Sequence, residues 1–376
     1  MLKKEGSLMS QTYYRPTFIR INLSAIQTNI QHLKQTLPKH TKIIAVVKAN
    51  AYGHGDIEVA NAALSAGATQ LAVATPEEAL RIRDAGITAE LLVLGAVPAS
   101  FLSKASEKNI TLTAYSLEWL HSIRHFTGPL KVHVKIDSGM GRIGFVEEGE
   151  LTEALAFIQQ RSWLQITGAF THFSTADEEN TEHYNKQVKT FERLLSLFKF
   201  KPDIVHTANS AALLRDPNQF WDAVRFGISM YGIAPSSFIG ENLPFPLKQA
   251  LALETEVVHV KKIKKGASVG YGAMYTAVED EWIATLPIGY ADGLLRKLHN
   301  QSVLVNGKRA KIVGKICMDQ CMIRLEEQVP LGEKAVLIGK QAAEEITIEE
   351  WADALQTIPY EICCMLSNRI PRIYSK

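Results

Sequence analysis

The chain has 376 residues, of which 46% are hydrophobic and 21% are charged, and its formal net charge is +2. This length is enough for two domains, at least one of them with a core large enough to fold without disulfides. The only dense basic run, residues 261–265, is interrupted by Ile263 in an alternating pattern typical of a strand face in water. Charge and composition therefore argue against a nucleic-acid-binding protein.

The N-terminal segment and the cysteines predict a cytoplasmic protein. Residues 1–10 contain two lysines with no apolar stretch behind them, and no segment is apolar over the length of a membrane span. The natural chain begins at Met1 or Met9. Four cysteines lie late in the chain, at Cys317, Cys321, Cys363 and Cys364. Their spacing is neither that of a zinc site nor that of a disulfide framework, so we expect reduced structural thiols and no metal.

Short β-rich runs alternate with helix-like stretches in the first part of the chain. The eight runs lie at residues 43–47, 71–74, 91–94, 111–114, 131–136, 165–169, 203–206 and 224–228. Between them, Thr75 and Pro76 are the types expected at the cap and the first position of a helix, and residues 180–200 have apolar residues at helical spacing. Eight strands alternating with helices predict an α/β fold, a (β/α)8 barrel of the TIM type.

The pattern changes after the Pro-Phe-Pro sequence at residues 244–246. Alternating strands follow at residues 253–263, 282–288 and 302–313, the last with Asn306 and Gly307 as a two-residue hairpin turn, and residues 347–355 are helix-like. We therefore expect a barrel domain at residues 1–245 and a second, mostly β domain at residues 246–376. Residues 10–23 are a candidate strand for the sheet of the second domain.

Polar residues cluster where the predicted barrel strands end. Lys48, Asp137, His172, Asn209 and Arg225 all lie at or just after the C-terminal ends of their runs, which is where a (β/α)8 barrel builds its active site. Burial of Lys48 would lower the pKa of its amine and leave a nucleophile able to hold an aldehyde as a Schiff base. The alternative is a lysine at a strand end that reaches water.

The segment around Lys48, A-V-V-K-A-N-A-Y-G-H-G at residues 45–55, resembles the alanine racemase family. In that family this motif carries the lysine that binds pyridoxal 5'-phosphate. The resemblance implies the same role for Lys48. It also implies that the cofactor phosphate is bound by Tyr52, Ser210, Gly227, Ile228 and Tyr360. The residues themselves point the same way, because turns after strands seven and eight, such as Asn209–Ser210 and Gly227–Ile228, are the usual phosphate site of this fold.

Residues 139–144, G-M-G-R-I-G, match the G-x-G-x-x-G pattern of dinucleotide-binding proteins. The match lacks its context, because the preceding strand is fifth in the series and no acidic residue ends a strand about 20 residues later. In the racemase family the matching segment serves the cofactor and the substrate instead of a dinucleotide. The resemblance implies that Arg142 contacts the cofactor's phenolic oxygen and the substrate carboxylate, and that Lys135 is carbamylated (N6-carboxylysine) to hold Arg142. An ordinary ion pair of Lys135 with Asp137 or another acid is the alternative.

Two further assignments follow from the resemblance. Arg225 would donate to the pyridine nitrogen of the cofactor and, because an arginine does not release its proton, would leave that nitrogen unprotonated. The ring would then be a weaker electron sink, which favours return of a proton to Cα over transamination. His172, in Thr171-His172-Phe173, would support Arg225 and lie along the ring face.

The second domain also contains segments that resemble the family. Tyr271 matches the second acid/base, which comes from the partner subunit of a homodimer, and the backbone N–H of Met318 matches one that binds the substrate carboxylate. Most family members have serine where this chain has Gly270, so the turn before Tyr271 departs from the pattern. Inversion at Cα needs a base on each face, and Lys48 and Tyr271 would supply the pair.

The predicted function is that of an isomerase of the alanine racemase type, which interconverts L- and D-alanine by two-base proton transfer and supplies D-alanine for peptidoglycan. Three rivals remain. One is a racemase for another amino acid or a decarboxylase on the same scaffold, although Arg225 disfavours decarboxylation. The second is a non-catalytic pyridoxal-phosphate carrier, and the third is a structural protein, which would leave the polar strand ends unexplained.

Overall fold

The computed structural model describes residues 13–376. Both candidate start residues, Met1 and Met9, and residues 10–12 of the candidate N-terminal strand lie outside the described residues. The described residues divide into two compact units, one of residues 23–249 and one of residues 13–22 with 250–376. The first strand, β1 (Thr17–Asn22), belongs to the second of these units.

Unit 23–249 is a barrel of eight parallel strands. They are β2 (Lys42–Val46), β3 (Gln70–Val73), β4 (Glu90–Val93), β5 (Leu112–Ala114), β6 (Leu130–Lys135), β7 (Leu164–Phe170), β8 (Ile204–His206) and β9 (Ala223–Phe226). The barrel closes because β9 pairs with β2, a Leu92–Thr111 bridge joins β4 to β5, and the N–H of Arg225 at β9 donates to Ala208 just after β8 at 3.0 Å. Each strand lies within two residues of a predicted run, which confirms the predicted (β/α)8 barrel.

Helices precede, connect and follow the barrel strands. They are α1 (Leu23–Thr36), α2 (Lys48–Tyr52), α3 (Asp56–Ala66), α4 (Pro76–Asp84), α5 (Leu102–Glu107), α6 (Leu117–Ser122), α7 (Glu148–Gln159), α8 (Glu182–Leu195), α9 (Ser210–Arg215) and α10 (Ser237–Glu241). Helix α4 begins as predicted, with Thr75 as the N-cap, Pro76 in the first turn and a capping box completed by Glu78. The apolar faces of the long helices cover the barrel, whose strand residues are almost all buried.

The second unit is mostly β and contains a ten-stranded sheet. Its elements after β1 are β10 (Leu251–Glu256), β11 (His259–Ile263), β12 (Ser268–Val269), β13 (Tyr275–Thr276), β14 (Glu281–Leu286), β15 (Ser302–Val305), β16 (Lys308–Val313), β17 (Cys321–Leu325), β18 (Lys334–Gln341), β19 (Glu344–Ile346), α11 (Ile348–Leu355), α12 (Pro359–Met365) and β20 (Arg372–Ser375). Strand β1 lies between β10, antiparallel, and β20, parallel. Asn306 and Gly307 form the predicted hairpin turn, both with positive φ (51° and 72°).

One predicted strand of the second unit is wrong. Residues 253–263 were expected to form a single strand, but the chain has two strands, β10 and β11. The reason is a change of partner. The N–H of Val257 donates to Glu333 at 2.9 Å, next to β18, whereas the N–H of Val258 donates to Thr285 of β14 at 3.0 Å. Alternation in the sequence continues through this switch and does not reveal it.

Within the described residues, no helix is long and apolar enough to cross a membrane. The four cysteines are free thiols. Burial raises the pKa of Cys321 to about 12, so this thiol is not a nucleophile at neutral pH.

Candidate active site

Lys48 stands two residues after the end of β2, at the start of a left-handed turn. The φ angles of Ala49, Asn50, Ala51 and Tyr52 are all between 52° and 54°. A left-handed conformation costs an L-residue roughly 1–2 kcal/mol, and none of these four is glycine. A run of this length persists only where its surroundings hold it in place.

Hydrogen bonds hold the left-handed turn from both sides. Within it, the N–H of Ala51 donates to Val47 at 2.9 Å and the N–H of Gly53 donates to Ala49 at 3.0 Å. The Asn50 side-chain oxygen accepts from the N–H of Asp56 at 3.1 Å, the first residue of α3. The N–H of Ala49 donates to a carboxylate oxygen of Glu78, on α4, at 2.7 Å.

The side chain of Lys48 is half-buried, so its amine is within reach of a ligand. The Nζ atom lies 5.9 Å from the centre of the Tyr52 ring. The sequence indicated a more deeply buried amine. The apolar run ends at Val47, and the left-handed turn then carries Lys48 and the exposed Ala49 to the end of the barrel.

Three residues form a small polar cradle next to this turn. The Ser210 hydroxyl accepts from the N–H of Gly227 at 3.0 Å. A Cβ atom placed on Gly227 would lie 3.0 Å from the Tyr52 hydroxyl oxygen and 3.5 Å from that of Ser210. The space above Gly227 is therefore bounded by two hydroxyls and is available only because the residue is glycine. Such a space suits a phosphate group.

The neighbours of the cradle are firmly placed. Asn209 caps α9, since its side-chain oxygen accepts from the N–H of Ala212 at 3.0 Å, and its amide donates to Phe173 at 3.1 Å. Ile228 is buried and begins a short 3-10 turn that ends at Tyr231. The Tyr231 hydroxyl donates to Val46 at 2.9 Å and ties this turn to β2.

Arg225 is the most heavily bonded side chain of the site and is buried. One terminal nitrogen donates to the Nδ1 atom of His206 at 2.8 Å and to the His206 carbonyl at 2.9 Å. The other donates to the carbonyls of Thr171 and Thr207, both at 2.8 Å, and approaches the Nδ1 atom of His172 at 3.4 Å. The guanidinium is thus fixed at the ends of strands β7 and β8.

These contacts determine which nitrogens of the histidines carry hydrogen. Arginine only donates, so Nδ1 of His206 accepts, and its Nε2–H donates to Nδ1 of His133 at 2.9 Å. Burial lowers the pKa of His133 to about 3, and the charge of Arg225 acts in the same direction. The pKa values of His206 and His172 are also well below the ordinary range, mainly because of burial and the charge of Arg225. All three imidazoles are therefore neutral at pH 7.

Arg225 itself keeps its charge in this environment. Desolvation lowers its pKa to about 9, and repulsion from Arg142 adds to the effect, but the guanidinium is still protonated at neutral pH. Arg225 is therefore a charged donor whose hydrogen-bond partners are carbonyl groups and a neutral imidazole.

The loop before Arg142 wraps around a carboxylate of its own chain. Asp137, two residues after β6, accepts the backbone N–H groups of Gly139, Met140, Gly141 and Arg142 at 2.8–3.0 Å. Burial alone would raise the pKa of Asp137, but the four donors outweigh it and lower the pKa. The G-x-G-x-x-G match therefore encloses a carboxylate and does not present its N–H groups to a dinucleotide phosphate.

Lys135, at the end of β6, is 1% exposed. Among the described residues its Nζ atom has no hydrogen-bond partner, and it lies 4.9 Å from the centre of the Phe170 ring. Desolvation lowers its pKa to about 7, assisted by the charges of Arg225 and Arg142. The alternative of an ion pair with Asp137 is not realised, because that carboxylate is taken up by the loop.

The remaining predicted residues lie in the second unit. Tyr271 is 70% exposed and Met318 is 53% exposed. Tyr271 begins a short 3-10 turn after Gly270, whose φ and ψ of 77° and −178° are essentially available only to glycine. The Met318 carbonyl accepts from the N–H of Ala291 at 3.0 Å. Tyr360 is the second residue of α12.

The sequence-based analysis missed two members of the site. His206, the last residue of β8, contributes both its ring and its carbonyl to Arg225, and its place at a strand end was a usable signal. Glu78 was given no role, and nothing in the sequence indicates its bond to Ala49, 29 positions away.

Known proteins match this chain over both units. The family models for the alanine racemase N-terminal domain and C-terminal domain match residues 21–235 and 250–374. Alanine racemase of Anoxybacillus flavithermus is 48% identical over 373 residues, which cover 98% of this chain and 97% of that protein. The crystal structure of alanine racemase from Bacillus anthracis with bound L-Ala-P superposes with a TM-score of 0.94 at 46% identity, covering 97% of this chain and 96% of that one.

A histidine racemase from Leuconostoc mesenteroides has the same fold, with a TM-score of 0.92 at 33% identity, and the alignment covers 97% of this chain and 100% of that one. The matches span both units, so fold and sequence together define an amino-acid racemase, an isomerase. The chain belongs to the alanine racemase family.

Proposed function

We propose that this protein interconverts L- and D-alanine with pyridoxal 5'-phosphate bound in the barrel. The observation that carries the proposal is the position of Tyr52. Its ring centre lies 5.9 Å from the Lys48 amine, while its hydroxyl borders the cradle over Gly227. A covalent anchor over the ring of one tyrosine and a phosphate cradle at its hydroxyl fit a phosphorylated aldehyde cofactor.

The proposed contacts divide between the aldehyde and the phosphate of the cofactor. Lys48 would bind the aldehyde carbon, and the cofactor would supply withdrawal of electrons from the substrate Cα. The phosphate would be bound by the cradle of Tyr52, Ser210 and Gly227 with the backbone of Ile228, supported by Asn209. Tyr360 of the second unit is the further phosphate ligand that the family resemblance implies.

Arg225 would donate to the cofactor's ring nitrogen. Its guanidinium is buried, charged and already bonded to His206, so it approaches as a donor and leaves that nitrogen without a proton. His172 would lie along the ring beside it. The neutral state of the histidines supports this role, because at neutral pH none of them is an imidazolium that could protonate the ring nitrogen.

Inversion requires a base on each face of Cα. We assign one face to Lys48 and the other to Tyr271 of the partner subunit in a homodimer. The 70% exposure of Tyr271 supports a role at a surface that meets another chain. Arg142 and the N–H of Met318 would bind the substrate carboxylate.

Lys135 is proposed to carry a carbamate. A pKa of about 7 leaves much of its amine neutral, and a neutral amine can attack carbon dioxide. The new N–C bond gives a carbamate anion and releases one proton. This anion would neutralise the crowding of positive charge at Arg225 and Arg142 and would give the Nζ position the partners that it lacks among the described residues.

A larger amino acid is the second candidate substrate, because a histidine racemase shares this fold over the full chain. The decarboxylase alternative is disfavoured by Arg225, since that chemistry usually places an acid at the ring nitrogen. A cytoplasmic location and the supply of D-alanine for peptidoglycan stay predictions.

The proposal can be tested in deuterated water. The purified protein, with added pyridoxal phosphate, is incubated with L-alanine or with L-histidine, and optical rotation and deuterium at Cα are followed together. We expect both to change with L-alanine and neither to change in the Lys48→Ala variant. Changes with L-histidine but not with L-alanine would identify histidine as the substrate. No change with either amino acid would contradict racemisation. Deuterium incorporation without loss of rotation would contradict the two-base assignment.

A further inference from the structure

One carboxylate connects two loops at the end of the barrel. Glu78 is the third residue of α4, and its Oε2 atom accepts the N–H groups of Ala74 at 2.7 Å and Thr75 at 3.3 Å. In an ordinary capping box the glutamate serves only its own helix. Here the Oε1 atom reaches across to the loop after β2 and accepts the N–H of Ala49 at 2.7 Å.

The N–H of Ala49 belongs to the peptide plane that joins Lys48 to Ala49. A bond to this group fixes the orientation of that plane, and hence the direction in which the Lys48 side chain leaves the backbone. Ala49 is also the first of the four left-handed residues. A charge-assisted hydrogen bond at this point is about twice as strong as a neutral one and helps to offset the cost of the turn.

We propose that Glu78 is a positioning residue for Lys48, acting through the Ala49 N–H and the left-handed turn. The inference rests on the proposed function, in which Lys48 binds the cofactor. Glu78 touches neither cofactor nor substrate in this scheme. Glu78 acts on the geometry of Lys48, which binds the cofactor.

The chemistry of the contact requires a carboxylate. The two oxygens of Glu78 serve two different loops, and both face N–H donors. Glutamine has the same size but only one acceptor oxygen, and its amide nitrogen would face a donor. Glu78→Gln must therefore lose one of the two connections, whereas the side-chain volume is unchanged.

Two matched variants separate positioning from helix stability. Glu77→Gln removes the same charge from the same turn of α4 at an exposed side chain. Thr75→Ala removes the hydroxyl that accepts the N–H of Glu78 at 3.3 Å, which is the other half of the capping box, and leaves the carboxylate in place. Thr75→Ala thus weakens the helix without touching the bond to Ala49.

The experiment uses the full chain and two measurements. Borohydride reduction at set times after addition of pyridoxal phosphate, followed by peptide mass mapping, gives the rate of attachment to Lys48. Hydrogen exchange of the peptide covering residues 48–55, before cofactor is added, reports on the turn. We expect Glu78→Gln to slow attachment by about tenfold or more, as loss of a charge-assisted hydrogen bond implies, and to speed exchange. Glu77→Gln and Thr75→Ala should attach cofactor at the parent rate.

Glu78→Gln and Thr75→Ala could instead attach the cofactor at the same rate, with both variants thermally destabilised. That result would show that Glu78 acts only on the helix and would overturn the inference. Unchanged hydrogen exchange in Glu78→Gln would overturn it as well, because the turn would then hold without the carboxylate. Attachment to a residue other than Lys48 in the parent protein is a separate result, which would contradict the proposed function and the positioning role together.

Discussion

Tyr271 is the residue whose loss should separate binding from turnover. Its phenol is proposed to move a proton at Cα but not to hold the cofactor, so Tyr271→Phe should keep pyridoxal phosphate attached to Lys48. Removal of a general acid or base costs about 10²–10⁴-fold, and we expect a loss of that size in the racemisation of L-alanine. Tyr14→Phe, at a tyrosine that is 88% exposed, is the control. Equal turnover with and without the Tyr271 phenol would mean that another group serves this face.

Asp137 should act through the loop that it organises. Asparagine offers one acceptor oxygen to four N–H donors, so Asp137→Asn should lower the free energy of unfolding by about 2 kcal/mol, the scale of hydrogen bonds to a charged group. Because Arg142 ends this loop, the KM for alanine should rise as well. Denaturant unfolding and steady-state kinetics measure the two effects, with Asp203→Asn at an exposed aspartate as the control. An unchanged KM would show that Arg142 does not take part in binding the substrate.

Gly227 tests the phosphate cradle, which is a property of two adjoining turns. An alanine Cβ at this position would lie 3.0 Å from the Tyr52 hydroxyl oxygen and would occupy the space assigned to phosphate. The parent protein should bind pyridoxal phosphate more tightly than pyridoxal, and Gly227→Ala should reduce this preference by about tenfold, the equivalent of one lost hydrogen bond to a charged group. Gly149→Ala in α7, where nothing lies within 4 Å of an added Cβ, is the control. A preserved preference would place the phosphate elsewhere.

At the level of elements, the barrel strands could be predicted because their buried runs and capped helices are local signals. Strand-end positions then brought Lys48, His172 and Arg225 into one site, since the topology of the barrel collects those ends. The left-handed turn could not be predicted, because Ala49, Ala51 and Tyr52 have no preference for positive φ. Its support is a tertiary contact to Glu78, which no local pattern encodes.

The residues of the second unit were less accessible to sequence reasoning. Tyr271 and Met318 were assigned only through the family resemblance, since exposed residues in turns have no periodicity that marks them. Gly270 stands where most family members have serine, and the structure shows a physical reason that the sequence alone did not. The residue has φ 77° and ψ −178°, so glycine is the type that this turn accepts without strain.

The pH dependence of folding concerns the whole molecule, because the buried histidines bind protons only when the chain unfolds. The pKa of His133 is about 3 in the folded protein, against 6.5 ordinarily, so the unfolded chain takes up a proton that the folded chain does not. The contribution of each histidine to stability should be complete above pH 6.5 and should fall as the pH is lowered, by about 1.4 kcal/mol per pH unit per histidine. His206, with its pKa lowered too, adds to the slope. Lys135 acts in a higher window, between about pH 7 and 10.5.

Denaturant unfolding between pH 7.5 and 5.5 measures this slope before most carboxylates titrate. His133→Asn should reduce the slope, because it removes one of the protons that accompany unfolding. His40→Asn, at an exposed histidine, should leave it unchanged. A parent slope near zero would mean that the interior histidines are protonated in the folded protein.

The shared active site can be tested by mixing two inactive proteins. If Tyr271 acts in the partner subunit, a heterodimer of Lys48→Ala and Tyr271→Phe chains contains one site with an intact Lys48 and an intact Tyr271 from the other chain. Random exchange makes half of the dimers heterodimers, each with one intact site of two, so about a quarter of the parent activity should return. Each variant alone should stay inactive at the same concentration. A site built within one chain predicts no recovery, since both chains then lack one of its bases. Dilution of the recovered mixture should remove the activity as the subunits separate, whereas activity that persists in samples shown to be monomeric would refute a shared site.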